Sequence, residues 1–65
     1  MREGNKMEKL LLTPEETAEA LNIGRSTVFE MLRRRELESV KIGKARRIPV
    51  EVVRDYVDRL KSDAA

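Results

Sequence analysis

Asn22–Pro49, NIGRSTVFEMLRRRELESVKIGKARRIP, decides how this chain is read. Asn22, Ile23 and Gly24 form a turn, with Ile23 closing it from the apolar side. The spacing then predicts a helix over about 25–34, because Val28, Met31 and Leu32 recur at i, i+3 and i+4 and give it one buried stripe. Arg25, Ser26, Thr27, Phe29, Glu30, Arg33 and Arg34 are left to its outer side. Beyond Leu37, which reads as an anchor, Val40-Lys41-Ile42 alternates as a half-buried strand does. Gly43-Lys44-Ala45 makes a tip, and Arg46-Arg47-Ile48 returns. Alternation sends Val40, Ile42 and Ile48 inward, and Lys41 and Arg47 away from the core. Two strands alone are marginal in water, so this hairpin must pack on helices.

Upstream, Thr13-Pro14-Glu15-Glu16 is a helix start: Thr13 suits the N-cap, Pro14 the first turn, and Glu16 completes a capping box. Both glutamates favour the positive end of the helix dipole. Thr17, Ala18 and Leu21 share one face, so this helix runs about 14–21. Helix, three-residue turn, helix is the spacing of a helix-turn-helix. Downstream, Pro49 opens a last helix over about 49–61, with Val50, Val53, Val57 and Leu60 as its apolar stripe and Tyr56 beside them. The expected organisation is a disordered arm at 1–9, one winged helix-turn-helix domain at 10–61 and a frayed end at 62–65. The fold class is mainly α with a small β-hairpin, in the order α-α-β-β-α.

The 65 residues suffice for one small domain, and a chain of this size buries only about 60% of its unfolded surface. With no Cys and no His, a disulfide framework, a thiolate metal site and the commonest general base are all excluded. The carboxylate pairs Glu15/Glu16 and Asp55/Asp58 fall at helix-surface positions without a pocket, so neither catalysis nor a metal or other cofactor is expected. No apolar run approaches the roughly 18 residues that span a bilayer, and Leu10-Leu11-Leu12 is too short for a secretory segment. No membrane association and a cytoplasmic location are expected. The formal net charge of +2 conceals a strong polarisation. Residues 22–49 carry eight basic side chains against three acidic, a net +5, while residues 1–21 carry −2 and residues 50–65 carry −1. A basic block between acidic flanks is the footprint of a nucleic-acid binder.

The stretch LTPEETAEALNIGRSTVFEMLRRRELESVKIGKARRIP resembles the excisionase-family helix-turn-helix domain, a small winged helix related to MerR-type DNA-binding domains. The resemblance covers residues 11–60. It rests on Leu12-Thr13 with Glu15-Glu16, on Arg25-Ser26-Thr27-Val28, on Arg33-Arg34 before Glu36-Leu37, and on Ile42-Gly43 with Arg47-Ile48-Pro49. It implies that the second helix enters the major groove of double-stranded DNA and that the wing meets the adjacent minor groove or its phosphates. Members of the family include excisionases, which bend DNA and turn an integrase toward excision, and small transcriptional regulators. Two positions depart from the family. Glycine is usual where Arg35 stands, so Arg35 must hold a positive φ at a cost of about 1 kcal/mol, or the helix must end differently. An aromatic is usual where Arg46 stands. Alternation puts Arg46 on the side of Ile48, from which its guanidinium has to escape to the edge.

The expected DNA-contacting residues are Arg25, Ser26, Thr27, Phe29, Glu30, Arg33 and Arg34 on the second helix, and Lys41, Lys44, Arg46 and Arg47 on the wing. Residues at the start of a recognition helix lie nearest the base edges, so Arg25 suits a bidentate pair with guanine O6 and N7. Ser26, Thr27 and the first backbone N–H groups suit phosphate. Glu30 either accepts from cytosine N4 or balances neighbouring arginines. Phe29 either covers the edge of the core or packs on the sugar-phosphate chain, the core being preferred. Arg33 and Arg34 suit phosphates and also complement the helix dipole. Lys44 and Arg46 fit a narrow minor groove or form a solvated tip, and Lys41 and Arg47 suit phosphates. One domain reads few base pairs, so the expected partners beyond DNA are an integrase or recombinase, or other protomers on adjacent sites, with Tyr56 left either to a partner or to the core. The competing readings are a transcriptional regulator with the same DNA-binding head and an antitoxin-like adaptor that puts its basic face on an acidic protein.

Overall fold

The computed structural model describes residues 9–64, with side chains through Asp63. In chain order the elements are β1 (Leu11–Leu12), α1 (Pro14–Leu21), α2 (Arg25–Arg33), β2 (Val40–Ile42), β3 (Ala45–Pro49) and α3 (Val50–Ala64). The arm expected at 1–9 lies outside the described residues except for Lys9, whose ammonium pairs with the Glu16 carboxylate.

Local chemistry explains the first helix. Thr13 is extended and its Oγ1 accepts from the Glu16 N–H at 3.0 Å, while Glu16 accepts from the Thr13 N–H at 2.9 Å. The capping box is thus closed in both directions. The Lys9 ammonium, and after it the Thr13 N–H, hold the Glu16 carboxyl below the usual carboxylate range. Thr17 is fully buried, and its hydroxyl donates to the Thr13 carbonyl at 3.0 Å, so the one buried polar side chain among the described residues is satisfied.

Both helices of the helix-turn-helix stop by the same device. After α1, Asn22 takes φ 58°, the Ile23 N–H donates to the Ala18 carbonyl at 3.0 Å and the Asn22 N–H to Glu19 at 3.1 Å. After α2, Arg35 takes φ 63°, the Glu36 N–H donates to Met31 at 2.9 Å and the Arg35 N–H to Leu32 at 3.2 Å. These paired bonds around a left-handed residue are the Schellman motif. Of the two outcomes open at Arg35, the helix takes the one with a positive φ. Leu37 then drops into the core with 1% of its surface exposed.

Three strands form an antiparallel sheet in the order β1-β3-β2. Leu11 lies opposite Pro49 and Leu12 opposite Ile48, and the Val50 N–H donates to the Leu10 carbonyl at 3.0 Å. Leu12 and Ile48 thereby face the helices. Ile48 joins Ala18, Val28, Met31, Leu32, Leu37 and Val53 in the core, and Leu12, Leu21, Val52 and Tyr56 pack against that cluster. The strand at Leu11–Leu12 was not expected from the sequence. Pro49, expected to open the last helix, is instead the end of β3, and α3 runs from Val50 to Ala64, past the end expected at 61.

The hairpin corrects the expected inward set. Val40 pairs with Arg47, Lys41 with Arg46 and Ile42 with Ala45, so the loop is the two residues Gly43-Lys44 and not three. Gly43 has φ 62°, and a positive φ at the first loop position is the type II′ pattern that two-residue hairpins favour. Changing the loop length by one residue changes which strand positions share a face. Ile48 stays buried, but Val40 and Ile42 lie on the opposite face with Arg47, and Ile42 is 59% exposed. Lys41 shares the face of Arg46 and Ile48. Three further apolar side chains are less covered than expected. Phe29 is 40% exposed, Leu60 is 50% exposed, and Ile23 lies at the surface of its turn. The α3 stripe is fully buried only at Val53; Val50, Tyr56 and Val57 are half-buried.

Candidate nucleic-acid interface

The core-facing stripe of α2 leaves its other sides to solvent, and Arg25, Ser26, Thr27, Arg33 and Arg34 are all exposed there, with Glu30 half-buried. Arg25, Ser26, Phe29, Glu30 and Arg33 line one shallow depression along the helix. A second groove runs between the C-terminal end of α2 and the hairpin. Arg33, Arg35 and Arg46 line it with Glu38 and Ser39. Arg33 belongs to both. A continuous band therefore leads from Arg25, along α2, across Arg33 to Arg46 on β3.

The arginines of α2 and its C-cap Arg34 are ion-paired. The Arg25 Nε lies 3.0 Å from the Glu15 Oε2, and its guanidinium carbon 5.5 Å from the centre of the Phe29 ring. Glu30 pairs with Arg33 through one carboxylate oxygen and with Arg34 through the other at 3.4 Å. Arg34 also lies 3.8 Å from Glu36. Of the two readings of Glu30, this geometry supplies the one in which it balances its neighbours. Phe29 serves as a platform for Arg25 at the surface and not as a core residue.

The expected wing residues divide. Arg46 opens onto the groove, and the register places Lys41 on the same sheet face. Lys44 is exposed at the tip. Arg47 lies on the other face beside Val40, half-buried, with its Nη1 donating to the Arg46 carbonyl at 2.9 Å. Thr27 is exposed but lines neither depression, and Arg34 stands outside both. Arg35 and Ser39 line the groove and were not among the residues expected there. The run Arg33-Arg34-Arg35 is the sequence signal for Arg35. Nothing in the sequence ties Glu15 to Arg25 across the turn.

Two short helices joined by a three-residue turn, a hairpin against their open side and a third helix closing the core define a winged helix-turn-helix, a class of DNA-binding domain. Residues 11–61 match the family model of the helix-turn-helix domain. The chain is similar to an excisionase of Streptomyces ambofaciens, 47% identical over 47 residues that cover 72% of this chain and 76% of that protein. It is also similar to a probable excisionase of Saccharopolyspora erythraea, 44% identical over 52 residues, or 80% of this chain and 53% of that one. No solved structure matches it. The chain belongs to the excisionase family of helix-turn-helix DNA-binding domains. Among the described residues, no helix is long and apolar enough to cross a membrane.

Proposed function

We propose that this chain acts as an excisionase-like recombination directionality factor, binding specific double-stranded DNA without catalysing a reaction of its own. In this reading α2 lies in the major groove and the β2–β3 hairpin reaches the adjacent minor groove. Arg25, Ser26 and Thr27 meet base edges and the nearest phosphates. Arg33 and Arg34 clamp backbone phosphates, and Lys41, Lys44, Arg46 and Arg47 meet the minor groove and its walls. Other protomers on adjacent sites, or an integrase, provide the rest of the assembly, which works in the cytoplasm. One observation carries this reading: the band from Arg25 through Arg33 to Arg46, which gives helix and hairpin a common side. The groove between them suits the strand of phosphates separating one DNA groove from the next.

The backbone contacts supply most of the affinity and make it salt-dependent. Neutralising five or six phosphates gives a slope of log K against log salt near −5, by the rule of about −0.9 per phosphate. Footprinting by the full chain is expected to cover repeated sites beside a recombination junction. Protection confined to a promoter would favour a regulator, and binding without salt dependence would favour a protein adaptor. Arg25→Ala is expected to lose about 1–3 kcal/mol of discrimination at one base position. Lys44→Ala should weaken all sequences alike and flatten the salt slope by about one. Titrations of matched and substituted duplexes at several salt concentrations read both, and equal loss on every sequence for Arg25→Ala would move that residue to the phosphate class.

A further inference from the structure

We infer that Glu15 is a positioning residue for base recognition: it holds Arg25 by its Nε, over the Phe29 ring, so that the guanidinium presents its two terminal nitrogens outward. The inference rests on the reading of α2 as the base-reading helix.

The first turn of α1 carries two adjacent glutamates with different surroundings. Glu16 is committed to Thr13 and Lys9. Glu15 instead reaches across the turn to the first residue of α2, with its Oε2 3.0 Å from the Arg25 Nε. Phe29, one helical turn beyond Arg25, places its ring centre 5.5 Å from the guanidinium carbon. Positions i and i+4 stand on one face of a helix, so the ring lies against one side of the guanidinium and the carboxylate beside its Nε. The Glu15 carboxylate stands at the Nε end of the guanidinium. Nη1 and Nη2 are the pair that meets guanine O6 and N7 end-on. A long side chain loses rotamer freedom when it binds. Two contacts made beforehand reduce that loss for the one orientation they support and not for others, and so act on discrimination more than on affinity.

Two simpler roles for Glu15 predict different results. A carboxylate that only favours the α1 dipole would, when removed, lower stability and leave base discrimination alone. A negative charge that only repels DNA would, when removed, raise affinity for every sequence equally. The experiment uses the full chain, a duplex it selects from a random pool, and the same duplex with the guanine opposite Arg25 replaced. The ratio of the two dissociation constants is measured for wild type, Glu15→Gln, Arg25→Ala and the double variant. Both members of the pair are exposed, and exposed pairs are weak, so Glu15→Gln should reduce the ratio by about two- to fivefold. It should change nothing in the Arg25→Ala background. A preserved ratio in Glu15→Gln, alongside a reduced one in Arg25→Ala, overturns the positioning role and leaves α2 as the reader. A preserved ratio in Arg25→Ala overturns the reading of α2 and this inference with it.

Discussion

The two helices of the helix-turn-helix, α1 and α2, are eight and nine residues long and end with the same pair of hydrogen bonds, yet they begin in opposite ways. α1 opens with Thr13, Pro14, Glu15 and Glu16, every one of which suits a helix N-terminus. α2 opens with Gly24, which makes no side-chain cap, and with Arg25, a cation at the positive end of the dipole. By the rules of helix stability α2 is the poorer design, and it is the helix proposed to enter the major groove. Departures from local rules collect where a structure meets a ligand. α1 has a side-chain cap for its first turn, whereas α2 has none, which in the proposed reading leaves its first free N–H groups to a phosphate. The Glu15 carboxylate, placed beside Arg25, offsets part of the resulting imbalance from the neighbouring helix.

Their exits differ as well, and here the largest effect is expected. Beyond its left-handed residue α1 runs into Ile23, which is 36% exposed, while α2 runs into Leu37, which is sealed in the core. Leu37→Ala should cost about 2–5 kcal/mol, the range for emptying a buried leucine site. A chain this short can lose most of its folded population to such a change. Ile23→Ala should fall within about 0.5 kcal/mol of wild type, as surface changes do. Urea denaturation followed by circular dichroism measures both. Similar losses at the two positions would mean that the turn between the helices is as deeply packed as the exit from α2.

The two helix starts can be exchanged in part. Thr13→Ala removes the α1 cap and should cost about 1 kcal/mol, with little effect on DNA affinity in the remaining folded protein. Gly24→Asp gives α2 the cap it lacks. The backbone accepts the change: Gly24 has φ −72° and ψ 153°, and an added Cβ would lie 3.8 Å from the Thr27 Oγ1, an ordinary contact. Asp at this position should stabilise by only a few tenths of a kcal/mol over glycine, roughly. It should nonetheless weaken binding to all duplexes, because it occupies the N–H groups and adds a negative charge beside the phosphates. Thermal melts and binding isotherms on one pair of variants test the trade. Undiminished binding by Gly24→Asp would remove the start of α2 from the DNA backbone.

The parts of this fold that local chemistry dictates are readable from the chain. The capping box at Thr13 and the buried stripe of Val28, Met31 and Leu32 each depend on residues within about one turn of one another. The hairpin faces are not readable in that way, since they turn on whether the loop holds two residues or three, and Gly43-Lys44-Ala45 permits either. β1 is harder still: two leucines have no period, and they form a strand only because Ile48 and Pro49 arrive opposite them. The candidate site divides likewise. That α2 carries cations is written in the sequence. That Arg25 belongs to Glu15 and Phe29, and that Arg33 and Arg46 share one groove, depends on how helices and hairpin are placed in space.

The exits of the two helices differ also in their left-handed residues, Asn22 and Arg35. Asparagine enters the left-handed region readily, whereas arginine pays the steric cost of its Cβ there, about 1–2 kcal/mol. Glycine removes that cost but brings about 0.5–1 kcal/mol of its own in chain entropy. Arg35→Gly should therefore stabilise by roughly 0.5–1 kcal/mol, and Asn22→Gly should stay within about 0.5 kcal/mol of neutral. Arg35 also lines the groove with Arg33 and Arg46. If it touches a phosphate there, Arg35→Gly should lower the salt slope of DNA binding by about one even as it raises the melting temperature. Strain retained for a charge would then explain why this helix ends on arginine. A higher melting temperature with an unchanged salt slope would leave the arginine without a role in the groove and remove it from the interface.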